Sequence, residues 1–184
     1  LIIEGRRQRV ENPRYEPGHR SWKRNRPRAD YTSACLKTSG LHAWKFGRFE
    51  MRGRIDTRPG LWPAFWTLGM ARGWPGCGEI DIMEYYRGLL LANACWDGGG
   101  GNPAWDDLKK PLDKFGDPDW SKKFHIWRMD WDEKFIRLYV DDLLLNTVEL
   151  SKTINPNGRG TNPFHEPHYI LLNLAIGGAQ GGDP

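Results

Sequence analysis

Glu79-Ile80-Asp81-Ile82-Met83-Glu84 sets three carboxylates in an apolar, strand-like run. In an extended chain, side chains two apart share a face, so Glu79 and Asp81 point one way while Ile80 and Ile82 point into a core. Strict alternation turns Glu84 away from the other two acids. One extra residue at Ile82-Met83, a β-bulge, brings Glu84 back to their face, and bulges are over-represented beside active sites. The competing reading is a solvated acidic edge of a half-buried sheet. It leaves unexplained why no basic residue stands among the three, since crowded carboxylates repel one another and raise one another's proton affinity. Two carboxyls about 5 Å apart are the arrangement that cleaves a glycosidic bond with retention.

Working outward from this run, the chain reads as strands. Segments 31–37, 45–55, 61–68, 79–85, 89–96, 124–131, 135–140, 143–148 and 169–174 suit extended structure. Ile136, Leu138 and Val140 alternate with Arg137 and Tyr139, and Asp141-Asp142 fits a tight hairpin turn into Leu143. Residues 97–121 are rich in Gly, Pro and Asp and read as the longest loop, with Gly98 to Gly101 as a flexible turn that lacks a phosphate-loop ending. Many short strands separated by turn signals predict an all-β, antiparallel sandwich. A chain of 184 residues suits one domain, 1–184, with its own core.

Ten tryptophans stand out in the composition. Flat indole faces suit the C–H faces of sugar rings, and an exposed Trp is expensive unless a ligand uses it. Trp127 and Trp131 share the phase of Met129 in an alternating strand and are expected to pack in the core. Trp62, Trp66, Trp74 and Trp96 lie near the carboxylates in sequence and are candidate sugar platforms.

The formal net charge of +4 is unevenly spread. Residues 1–30 hold nine Lys or Arg against four acids, and the remainder is close to neutral. That segment reads as a solvated loop, with a polyanion-binding arm as the alternative; no nucleic-acid partner is expected. Cys35, Cys77 and Cys95 cannot all pair, and no C-x-x-C spacing supports zinc or redox chemistry; one disulfide or reduced, buried thiols both fit. His165 and His168 sit in a Pro-flanked loop without an acidic partner, so no metal site is expected there. No apolar run has the length of a membrane span; the longest, 169–176, is interrupted by Asn173. The chain opens on Leu1-Ile2-Ile3-Glu4, which reads as the middle of a strand, and a mature or trimmed chain is expected.

The E-x-D-x-x-E run resembles family 16 of the glycoside hydrolases, most closely the laminarinase-like endo-β-1,3-glucanases. Trp62-Pro63-Ala64-Phe65-Trp66, Trp74-Pro75-Gly76-Cys77-Gly78 and Leu172-Asn173-Leu174-Ala175-Ile176-Gly177-Gly178 carry the same likeness. So do Phe46-Gly47-Arg48-Phe49-Glu50 and Phe124-His125-Ile126-Trp127. The six-residue motif, with Met83 as the bulge residue, is similar to the laminarinase, agarase and carrageenase branch. Lichenases and plant xyloglucan transglycosylases typically carry the five-residue E-x-D-x-E.

The resemblance implies a β-jelly roll with a concave substrate cleft, Glu79 as nucleophile, Asp81 as its electrostatic helper and Glu84 as general acid/base. Asn173 joins the Trp residues as a substrate contact. The implied activity is endo-acting, retaining hydrolysis of β-1,3-glucan (laminarin) or mixed-linkage β-1,3-1,4-glucan, by a monomer without a required cofactor. The alternatives are a galactan such as agar, or a non-catalytic glucan-binding module on the same fold. Where relatives carry a cleft histidine, this chain reads Asn93-Ala94-Cys95-Trp96-Asp97. The outermost terminal strands are expected to be missing, and the family's structural calcium, which often uses those ends, has no placeable ligands here. The polysaccharide partner implies a secreted or periplasmic enzyme.

Overall fold

A computed structural model describes residues 1–21, 23–156, 160–182 and 184. Its strands are β1 (Arg6–Glu11), β2 (Arg28–Thr32), β3 (Cys35–Lys37), β4 (Gly47–Gly53), β5 (Leu61–Gly69), β6 (Glu79–Tyr86), β7 (Leu89–Gly99), β8 (Asn102–Pro111), β9 (His125–Trp131), β10 (Phe135–Val140), β11 (Leu143–Glu149) and β12 (His168–Ile176). They form a six-stranded sheet, in the order β3-β12-β5-β6-β7-β8, and a four-stranded sheet, β11-β10-β9-β4. β1 and β2 pair as a separate ribbon. Every pairing is antiparallel, and the two larger sheets make a β-sandwich of jelly-roll type.

The period of two in the sequence explains the layers. On β9, His125, Trp127, Met129 and Trp131 are buried and alternate with half-buried Ile126, Arg128 and Asp130; β10 repeats the pattern with Ile136, Leu138 and Val140 inside. These side chains meet Phe65, Ile80, Ile82, Tyr85, Leu90 and Ala92 of the larger sheet in one core. Burial of this kind stabilises by roughly 25 cal/mol per Å² of apolar surface. Trp127 and Trp131 fill the core as their phase predicts, each donating its indole N–H to a carbonyl, of Gly53 (3.1 Å) and Phe164 (3.0 Å).

The hairpin at Asp141-Asp142 is present, with Val140 paired to Leu143 and Asp141 at φ +52°. An Asp tolerates that left-handed geometry. Its carboxylate also accepts the Ile126 N–H at 2.8 Å, which ties the turn to β9.

Two expectations need correction. The segment read as the longest loop, 97–121, contains β8, which pairs with β7 from Leu89↔Pro111 to Gly99↔Asn102. Its Asn, Pro, Asp and Lys residues carry little strand propensity; pairing along the whole of β7 supplies what composition lacks. Of the flexible turn expected at Gly98 to Gly101, Gly98 and Gly99 extend β7 and Gly100-Gly101 make the turn, closed by the Asp97 carboxylate accepting the N–H groups of Gly99 (2.8 Å) and Gly101 (3.0 Å).

The second correction concerns the first 30 residues. The basic segment is not merely a loop, since β1 and β2 pair across it from Arg6↔Thr32 to Glu11↔Arg28, with β1 exposed throughout. The strand expected at Leu1–Glu4 begins instead at Arg6.

All three cysteines are free, Cys77 and Cys95 buried and Cys35 exposed. His168 is buried between Thr67 (3.0 Å) and the Pro163 carbonyl (3.2 Å), and burial lowers its pKa to about 4. Among the described residues no helix is long and apolar enough to cross a membrane.

Candidate active site

The bulge is where the sequence places it. Across β6 and β7, Asp81 pairs with Asn93 and Glu84 with Leu91, so Ile82 and Met83 together oppose Ala92. Toward β5, Asp81 pairs with Trp66, Met83 with Phe65 and Glu84 with Ala64. Ile82 is therefore the residue left out of the β5 ladder, rather than Met83. Both side chains drop into the core, at 0% and 2% exposure. The bulge thus seats two apolar side chains in succession and returns Glu84 to the face of Glu79 and Asp81.

That face is the floor of a cleft of about 490 Å³ lined by Trp62, Trp66, Trp74, Glu79, Asp81, Glu84 and Asn173, with Ala64, Leu68 and Ala175. A volume of this size is typical of a small-ligand site. Three tryptophans donate to its polar groups: Trp74 Nε1 to Glu79 Oε2 at 2.6 Å, Trp62 Nε1 to Glu84 Oε1 at 2.6 Å, and Trp66 Nε1 to Asn173 Oδ1 at 2.7 Å. Each indole N–H holds its partner's acceptor in place and leaves the ring as cleft wall.

Their surroundings push the three carboxyls apart in proton affinity. Burial raises Glu79, while hydrogen bonds from Trp74 and Asp81 pull it back toward the ionised form. Asp81 is the most buried of the three. Desolvation, then repulsion from Glu84 and Glu79, raises its pKa well above the usual carboxylate range. A protonated Asp81 can donate to Glu79, and the hydrogen bond between the two favours the proton on Asp81. Burial and the charge of Glu79 lift Glu84 to about 7, against the Trp62 hydrogen bond and Lys109, which lower it. A carboxyl whose ionised form accepts two hydrogen bonds, beside one that holds its proton near neutral pH, is an arrangement able to supply a nucleophile and an acid.

Trp96 does not join them. Asn93 and Cys95 of β7 pair with Asp81 and Glu79 and share their face, so Trp96, one residue on, takes the opposite face and packs against the core. The same register brings in residues that the sequence reading missed. Cys95 pairs with Trp105, Asn93 with Asp107 and Leu91 with Lys109, which places that part of β8 on the cleft's flank. Tyr86 packs edge-on to the cleft residue Trp62, with ring centres 5.7 Å apart. Among the described residues no group of three or more His, Cys, Asp or Glu could hold a metal ion, and the cleft carboxyls serve one another and the indoles instead.

The family model for glycosyl hydrolases family 16 matches residues 19–183. The chain is 34% identical over 174 residues to the glucan endo-1,3-beta-glucosidase of Cryptopygus antarcticus, covering 86% of this chain and 60% of that protein. Its fold matches the laminarinase catalytic domain of Thermotoga maritima with a TM-score of 0.77 at 33% identity, over 99% of this chain and 68% of the other. A structure from work on endo-acting O-glycanases that human gut microbiota express to initiate mucin breakdown matches with a TM-score of 0.86 at 32% identity, over 98% and 65%. The chain spans between 48% and 60% of the length of the first curated relatives it matches.

Proposed function

The chain belongs to family 16 of the glycoside hydrolases, and we propose that it is an endo-acting, retaining β-glucanase that cleaves β-1,3-glucan or mixed-linkage β-1,3-1,4-glucan. The observation that carries this reading is the proton arrangement of the three acids on one cleft face. Glu84, with its pKa lifted to about 7, is the general acid that protonates the departing sugar oxygen. Glu79, ionised and held by Trp74, attacks the anomeric carbon and forms a covalent glycosyl-enzyme. Glu84, now a base, takes a proton from the incoming water, and hydrolysis of the ester frees Glu79. Asp81 gives Glu79 a hydrogen bond and so keeps its charge off a third acid that could not also ionise. Trp62, Trp66 and Trp74 supply the walls against which sugar rings stack, and Asn173, oriented by Trp66, offers its amide N–H to a hydroxyl.

The preference for β-glucan rests on the relatives, which include a beta-glucanase and endo-1,3-1,4-beta-glycanases. A catalytic role is favoured over a binding-only module because all three acids are present and poised. Meeting so large a substrate places the enzyme outside the cytoplasm.

The test is reducing-end release from laminarin, mixed-linkage glucan and agarose in parallel, with Glu79→Ser as the control. Release from laminarin or mixed-linkage glucan is expected, with a loss of at least about 10³-fold in the variant while polysaccharide binding persists. Release from agarose alone would replace the substrate. Binding without any release would leave a recognition module.

A further inference from the structure

The row of cleft-face positions that begins at Glu79 continues across two more strands. Glu79 of β6 pairs with Cys95 of β7, and Cys95 pairs with Trp105 of β8. Cys95 is completely buried although it faces the cleft. Solvent along this row therefore meets Glu79 and then the indole of Trp105, about 10 Å away at two strand spacings.

Trp105 is 43% exposed, and among the described residues its ring and N–H have no hydrogen-bonding, stacking or cationic partner. The other tryptophans among the described residues are committed. Trp62, Trp66 and Trp74 donate to Glu84, Asn173 and Glu79. Trp127 and Trp131 donate to carbonyls, and Trp44 and Trp120 stack on neighbouring rings. Trp96 packs on the core. An indole with an open face and a free donor, on the cleft face of the sheet two strands beyond the cleft's lining and in register with Glu79, is equipped to stack on the C–H face of a sugar and to donate to its hydroxyl. One and two rows on, Asp107 and Lys109 form an ion pair at 2.5 Å with both side chains about half exposed, adding a donor and acceptors beside the ring.

We propose that Trp105 is a specificity-determining residue of the cleft, stacking on a sugar unit remote from the cleavage point on the β8 side. The proposal rests on the β-glucanase reading. Trp105 touches no reacting atom; it holds long chains and is indifferent to short ones.

The test compares wild type, Trp105→Ala and Trp105→Phe on linear β-1,3-gluco-oligosaccharides from trimer to heptamer. For the longest substrates Trp105→Ala is expected to raise KM about tenfold with kcat nearly unchanged, a factor equivalent to ~1.4 kcal/mol. The trimer should be unaffected, and Trp105→Phe should recover most of the loss. Because the side chain is exposed, the thermal midpoint of Trp105→Ala should stay close to that of wild type. An active wild type with no length dependence in the Trp105→Ala effect would overturn the proposal. A wild type inactive at every length would overturn the β-glucanase reading first.

Discussion

Glu84 is the residue whose environment says most about the chemistry. Its carboxyl binds a proton more tightly when folded, near 7 against an ordinary 4.5. A pKa raised on folding contributes stability that is fully present below about 4.5 and is lost as pH rises through about 7. Asp81 shifts in the same direction. Glu84→Gln keeps an oxygen for the Trp62 N–H and removes the charge, so it is expected to be more stable than wild type at pH 8 by up to ~3 kcal/mol and no more stable at pH 4. Denaturant melts at both pH values check this; an equal effect at each would show that Glu84 is not held neutral. The activity profile should fall on its basic side near pH 7, where the acid is lost.

At the scale of elements, the bulge on β6 separates what the cleft needs from what the core needs. Removing Ile82 would leave Asp81 opposite Asn93 and Trp66, Met83 opposite Ala92 and Phe65, and Glu84 opposite Leu91 and Ala64, with no change of face for any acid. The lost piece is a side chain that is wholly buried. Deletion of Ile82 is therefore expected to destabilise by about 2–5 kcal/mol, as for large core truncations, while turnover of the folded fraction stays within about tenfold of wild type. Urea melts and rates corrected for folded fraction check it. Collapse of activity in fully folded protein would mean that the bulge positions Glu84 in a way its pairing does not reveal.

The same strand explains what could be read beforehand. The three acids and their common face follow from six consecutive residues and a period of two interrupted by one bulge. Trp96 was misplaced because nearness in sequence says nothing about face, and one register step separates it from Cys95. β8 was invisible because its strand conformation comes from a partner, β7, and not from its own composition; Trp105 was lost with it.

Across the whole molecule, two sheets share one core, and the cleft occupies the outer face of the larger. The fold class was legible because alternation in β9 and β10 and hairpin signals such as Asp141-Asp142 are local. The pairing of the basic N-terminal segment into a ribbon was not, since β1 buries nothing and leaves no apolar pattern to read. The fold holds three carboxyls out of water on one sheet face, where burial raises the proton affinity of each. The most direct test of that account is to trap the covalent intermediate. An activated 2-deoxy-2-fluoro β-1,3-glucobioside should lose its leaving group and add the mass of one fluorinated disaccharide to the intact protein, and peptide mapping should place it on Glu79. A label on another residue, or turnover of laminarin with inversion and no label, would contradict the account.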